Sequence, residues 1–292
     1  MRFEFIHAEK ATYPVEMLCR MLEVSRSGYY RWRDAQPSER SKEDEVLKIE
    51  MKTIHTKSRG TYGSPRIHAE LRAKGFDVGV NRVARLMVEL GIAGHVPRRS
   101  CKTTDSSHNR PPAPDLVERD FKPSKPNQIW AADITYISTS SGWAYLAVVI
   151  DLYSRRVIGW AVDDHMRTEL VLEALNRALG SRAHGVELIH HSDRGSQYAS
   201  ARYHEELSRH GIQASMGAKG CAYDNAVVES FFATLKKELV HRTNWLDHHQ
   251  AGLAISEYIQ VFYNRSRLHS TLGYMSPADY EEQSDQELDL AA

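Results

Sequence analysis

Three acids occupy positions where an acid needs a reason. Asp133 lies inside the apolar run "WAADITYI", Asp193 closes "ELIHHSD" just before the break "RGSQY", and Glu229 sits in "DNAVVESFFATLKKEL". A carboxylate within an apolar strand is costly to bury unless it is paired or metal-bound. Three that converged would repel one another by a few kcal/mol per pair at an effective dielectric of about 20. Divalent cations with a taste for hard oxygen, Mg²⁺ with Mn²⁺ as a substitute, remove that repulsion. Two such ions, about 3.5–4 Å apart, can activate a nucleophile and hold the leaving oxygen of an in-line phosphoryl transfer. Lys236 follows Glu229 by seven residues. That is two helical turns, roughly 10 Å along the same face, suited to a neighbouring phosphate rather than to the metal. Asn225, one turn before Glu229, is either a further polar contact or part of the helix cap beside Asp224. Arg194 is either a phosphate contact or a surface side chain.

Taken alone, these residues also fit a plainer assignment: a structural strand acid, a turn aspartate and a solvated helix position. A zinc site on His190 and His191 is disfavoured, because neighbours on a strand point to opposite faces. Asp151, with Ser154 and Arg155, reads as the turn after a strand, and Asp163 with Asp164 as a solvated strand end. Trp130, Trp143 and Trp160 read as core. The three cysteines, Cys19, Cys101 and Cys221, are far apart, which supports neither a disulfide framework nor a cysteine zinc site.

The elements that must position the acids follow from the apolar pattern. "QIWAADITYIS", "WAYLAVVIDLYS" and "RVIGWAVDD" predict three strands joined by short breaks, a meander. A helix at "RTELVLEALNRALG", a strand at "VELIHHSD", a helix at "SARYHEELSRHG", a short strand at "IQASM" and two more helices complete an α/β order over residues 127–280. Upstream, residues 1–40 predict a small helix-turn-helix-like segment with its turn at Ser25–Gly28. Residues 41–96 predict a second helical unit, a DNA-binding domain with a positive face on which Arg66, Arg82 and Arg85 are candidate contacts. In it Pro65 opens one helix and Gly75 closes it, while Val83, Leu86, Met87 and Leu90 point inward from the next. The Pro/Ser-rich residues 97–126 read as a linker, and the acidic residues 281–292 as a disordered tail.

The chain is an ordinary globular composition of 292 residues, 41% hydrophobic and 26% charged. No apolar run approaches the roughly 20 residues that span a bilayer, and the N-terminus lacks a signal-peptide core, so no membrane and a cytoplasmic location are expected. The net charge of zero hides an asymmetry: residues 1–126 hold 24 Lys+Arg against 17 Asp+Glu, and residues 127–292 hold 14 against 21. A basic front joined to an acidic body suggests DNA and metal respectively.

"WAADITYI", "HSDRGSQY", "DNAVVESFFATLKKEL" and "YNRSRLHSTLGYMSPADY" closely resemble the insertion-sequence transposases of the IS-three family (OrfB type), which are similar to retroviral integrases. "TYGSPRI" and "NRVARLM" resemble that family's helix-turn-helix-like region, so the resemblance covers nearly the whole chain. It implies a ribonuclease-H-like α/β catalytic core with Asp133, Asp193 and Glu229 as the Asp-Asp-Glu metal ligands, the family's 35-residue gap between the last two intact. It implies Lys236 as the family's DNA-contacting basic position. Expected with it are two Mg²⁺ (or Mn²⁺) ions per active site and double-stranded DNA, both transposon ends and target, as substrate. A homo-oligomer, at least a dimer on DNA, and an upstream-frame partner protein are also implied, in a bacterial cytoplasm where the bound protein associates with the nucleoid. The zinc-binding His-His-Cys-Cys module of retroviral integrases has no counterpart here, and no structural zinc is expected. The activity implied is cleavage at transposon ends and transfer of the 3′-hydroxyl strand into target DNA. The rivals are a DNA-binding regulator or partner-dependent subunit without strand transfer, and a plain ribonuclease-H-like nuclease.

Overall fold

The computed structural model describes residues 2–34, 36, 38–95, 123–185, 187–217 and 226–291. The chain divides into two compact units, Met1–Thr53 and Ile54–Ala292. The division falls inside helix α4 (Glu39–Lys57).

In the first unit α1 (Arg2–Glu9), α2 (Val15–Met21) and α3 (Arg26–Asp34) bury Ile6, Leu18, Cys19 and Tyr29 against one another. The expected turn at Ser25–Gly28 shifts upstream. Ser25 Oγ accepts from the Gly28 amide at 3.0 Å, so Ser25 caps α3 and Gly28 lies inside it. Glu23, at φ +53°, makes the reversal instead.

In the second unit α5 (Ser64–Ala73) and α6 (Val80–Glu89) pack through Ile67, Leu71, Val83, Leu86 and Met87, all buried. Pro65 stands in the first turn of α5, and Gly75 at φ +87° ends it, as expected.

The three expected strands form the meander β1 (Ile129–Thr139), β2 (Gly142–Asp151) and β3 (Val157–Asp163), antiparallel throughout. After α7 (Thr168–Ser181) the chain returns parallel to β1 as β4 (Ile189–Ser192), then crosses through α8 (Ala201–Arg209) to β5 (Gln213–Met216). The sheet order is β3-β2-β1-β4-β5, the ribonuclease-H-like α/β architecture that the resemblance implies. One face of β1, with Trp130, Ala132 and Ile134, packs on α7 and α8 around Leu170, Leu175, Tyr203 and Leu207. Gly159 in β3 lets α7 come this close: a Cβ there would lie 2.2 Å from the Ala174 carbonyl oxygen. By strand alternation Ala131, Asp133 and Thr135 face the other way. Helix α9 (Ala226–Glu238) packs on β1, and α10 (His248–Glu257) on β3 and β2.

Two expectations are corrected here. The acidic tail is helix α11 (Pro277–Ala291). Its Glu281 is buried, accepting from Ser154 Oγ (2.6 Å), Arg156 Nη1 (2.6 Å) and Arg182 Nη2 (2.7 Å), so arginines of the core neutralise the charge that argued for disorder. Trp143 is not core. It lies at the hairpin tip, 59% exposed, edge-on to Tyr136, whereas Trp130 is fully buried and Trp160 partly so. Most of the linker, residues 97–122, lies outside the described residues.

Candidate active site

The parallel pairing of β1 with β4 sets Ala132 beside Ser192. That pair is the last of the register; Asp133 follows it on β1 and Asp193 follows it just past the end of β4, and α9 packs on β1. The Asp133 Oδ1 accepts from the Ile134 amide at 2.7 Å. The Asp193 Oδ1 accepts from the Gly195 amide at 2.8 Å, a tight turn in which a Cβ at residue 195 would come within 2.9 Å of that oxygen and push the carboxylate aside.

The Asp133 carboxyl is pushed up to about 8, by burial first and then by the charges of Asp193 and, further down, Glu229. The Ile134 amide and the Lys236 ammonium oppose the shift. Burial in turn draws Lys236 down, while Asp133 supports its charge. The three acids and the lysine therefore share one electrostatic neighbourhood, with Glu229 exposed and Lys236 partly buried on α9. The donor set is hard carboxylate oxygen throughout and carries excess negative charge, which suits Mg²⁺ or Mn²⁺.

The other candidates fall in different places. Arg194 Nε donates to the Gly217 carbonyl at 2.7 Å. Arg66 Nε donates to the Leu268 carbonyl at 2.9 Å and lies over the Tyr62 ring, with burial drawing its pKa down. Arg82 and Arg85 stand on α6, partly exposed and exposed, and Arg85 pairs with Glu89 one turn on. Asn225 and Asp224 lie outside the described residues. Both histidines of β4 are buried and bonded apart: His190 Nε2 to the Tyr203 hydroxyl (3.0 Å), His191 Nδ1 to Ser215 Oγ (2.9 Å). Burial holds His190 neutral, its pKa pushed down to about 3. Asp151 is buried and receives the Asn127 and Tyr153 amides at 2.8 and 2.9 Å, which makes it the anchor of the β2–β3 turn. Asp163 and Asp164 share their strand end with His248, the three offering ligand atoms within 4.8 Å of one another.

Two features escape a reading of the residues alone. Tyr198, inside "HSDRGSQY", is 1% exposed, and its hydroxyl finds no hydrogen-bond partner among the described residues. Burial raises its pKa well above the usual phenol range, with Tyr203, Asp133 and Asp193 adding to the shift. An aromatic five residues past an acid carries no sequence signal for such a position. The second is a buried ion pair between Glu238, the last residue of α9, and Arg267 in "YNRSRLHSTLGYMSPADY", whose partners are too distant in sequence for a pattern to reveal.

The family model described as Integrase core domain matches residues 123–222, and a second of the same description matches 229–284. The model described as HTH-like domain matches residues 41–100. The chain is 44% identical over 265 residues to the insertion element IS600 uncharacterized 31 kDa protein of Shigella sonnei, covering 91% of this chain and 97% of that protein. It is 41% identical over 283 residues to the transposase InsF for insertion sequence IS3A of Escherichia coli strain K12, covering 96% of this chain and 98% of the relative. Among solved structures, the HTLV-2 integrase catalytic core domain in complex with magnesium is 16% identical with a TM-score of 0.44, covering 54% of this chain and 98% of that one.

Proposed function

The chain belongs to the IS-three family of insertion-sequence transposases, polynucleotidyl transferases acting on DNA, and from that premise we propose that Asp133, Asp193 and Glu229 are the ligands of its catalytic cations. One observation carries the reading: Asp133 and Asp193 each directly follow Ala132 and Ser192, the last pair of the β1–β4 register, and the charges of Asp193 and Glu229, the latter on the helix packed on β1, both act on Asp133. A fold that gathers acids in this way, with one lysine among them, fits a cation-binding centre.

A pair of Mg²⁺ or Mn²⁺ ions held there would lower the pKa of the attacking hydroxyl and stabilise charge on the leaving oxygen. The chain's own groups prepare that site. Asp133 must release its proton for a cation to bind, so cation affinity rises with pH towards about 8 and binding expels a proton. Lys236, at the edge of the acids, supplies positive charge for a phosphate that bridges them. Gly195 and Ile134 donate their amides to the two aspartates and fix the direction of each carboxylate.

Two transfers of the same kind follow. Water adds to the phosphorus at a transposon end and the 3′-oxygen leaves as a hydroxyl. That hydroxyl then adds to a target phosphorus, and the target's own 3′-oxygen leaves. The HTH-like domain presents Arg82 and Arg85 to phosphates. Arg66 and Arg194, each bonded to a backbone carbonyl, serve DNA through the surfaces they brace. Two ends must be held together, which calls for at least a dimer on DNA, with an upstream-frame protein as a further partner.

The test is joining of a pre-cut donor end that already carries a 3′-hydroxyl. The expected result is insertion into target DNA with Mg²⁺ and none with chelator. Nicking of DNA without joining would replace this reading with a plain nuclease, and binding without either reaction would replace it with a regulator.

A further inference from the structure

Helix α9 brings Glu229 and Lys236 to the acidic site and ends in Glu238, which is buried. Arg267 donates to the Glu238 carboxylate from Nε (2.9 and 3.1 Å) and from Nη2 (2.8 Å), and the Tyr258 hydroxyl donates to Oε2 at 2.7 Å. The side chains of Arg267 and Glu238 are 6% and 8% exposed. His269 beside them is kept neutral, its pKa pushed down to about 3 by burial and then by Arg267. A buried pair of this sort adds little net stability over apolar residues of the same volume, whereas a planar guanidinium fork fixes the direction of the carboxylate it meets.

The segment that carries Arg267 is held from the HTH-like side. The Tyr62 hydroxyl donates to the Ser266 carbonyl (3.1 Å) and accepts from the Leu268 amide (2.7 Å), the peptide groups on either side of Arg267. Arg66 Nε donates to the Leu268 carbonyl at 2.9 Å. Nearby Arg59 pairs with Glu257 (2.6 Å) and lies 4.8 Å over the Phe262 ring, while Arg242 Nη1 donates to the Arg59 carbonyl (2.7 Å). Continuous bonds thus run from Tyr62 and Arg66 through residues 266–268 to the end of α9.

We infer that Arg267 is a positioning residue that couples seating of the HTH-like domain on the core to the placement of Glu229. A helix moves as a rod over the roughly 13 Å between residues 238 and 229. The Arg267 fork therefore sets the angle at which α9 presents Glu229, and Tyr62 with Arg66 set the position of the fork. The inference rests on the proposal that Glu229 is a cation ligand.

The experiment uses the full chain with Arg267→Lys, Tyr62→Phe and Glu229→Gln. Melting temperature, DNA affinity, Mn²⁺ affinity by titration calorimetry and joining of a pre-cut end are measured on each. Arg267→Lys keeps the charge and loses the fork. It is expected to weaken Mn²⁺ binding and turnover together by about tenfold or more, the range for groups that orient metal ligands, with DNA affinity unchanged. Tyr62→Phe, which removes only one hydroxyl, is expected to move both in the same direction by less. Wild-type Mn²⁺ affinity and turnover in folded Arg267→Lys overturn the inference, as do losses that disappear below each variant's melting range. Should Arg267→Lys not fold, Tyr62→Phe decides, and wild-type values there overturn it. If Glu229→Gln itself binds Mn²⁺ and joins ends normally, the underlying ligand assignment fails. If it is inactive while the other two behave as wild type, only the coupling fails.

Discussion

Asp133 shows how a side chain can be poor for stability and good for chemistry. Its carboxyl is pushed up to about 8, by burial and then by Asp193, while an aspartate in an unfolded chain titrates at about 3.9. Between those two values the folded protein keeps a proton that the unfolded chain gives up. Stability of the cation-free protein therefore falls as pH rises from about 4 to about 8. Asp133→Asn removes the ionisation. The variant is expected to melt above the wild type at about pH 8 in chelator and to match it near pH 4, each kcal/mol relieved being about 2–4 °C in a domain of this size. Mg²⁺ should raise the wild-type melting temperature at about pH 8 and leave the variant nearly unmoved. Thermal scans with parallel pH profiles for the two proteins would contradict the placement of this carboxyl.

The elements that carry the acids were legible to different degrees, and the reasons are physical. The β1–β2–β3 meander follows from β-branched, alternating runs separated by short breaks, a signal held within each segment. Asp133 and Asp193 stood out because an acid is unusual in or at the end of such a run. What brings them near one another is the parallel β1–β4 register that ends just before both, which pairs residues about sixty apart and leaves no local trace. The same limit hid the Glu238–Arg267 pair, the carbonyl partner of Arg66 and the arginines that order α11 around Glu281. Composition marked α11 as disordered because it counts the acids of a segment and not the bases waiting elsewhere. Close packing is likewise a tertiary matter. Gly159→Ala would drive a methyl into the Ala174 carbonyl of α7, and it is expected to cost about 1–3 kcal/mol, the usual range for an overpacked core. Chemical denaturation checks this, and an unchanged midpoint would mean that α7 does not approach β3 so closely.

At the scale of the molecule, charge is divided along the chain. Residues 51–110 hold 12 lysines and arginines against 4 acids, while the catalytic half is net acidic. Affinity for DNA should therefore come mainly from the basic stretch and weaken steeply with salt, through release of counterions from neutralised phosphates. Arg82→Ala and Arg85→Ala are each expected to lower the slope of log K against log salt by about 1 without changing sequence preference. A salt response as flat as that of an uncharged surface would move the DNA contacts elsewhere. Among the described residues no helix is long and apolar enough to cross a membrane.

The decisive measurement is strand transfer of a pre-cut donor end in Mg²⁺ by Asp133→Asn, Asp193→Asn and Glu229→Gln proteins that still bind DNA. Each is expected to lose joining while keeping its affinity for the ends. Wild-type joining by any one of them would contradict the assignment of these three acids as the catalytic centre.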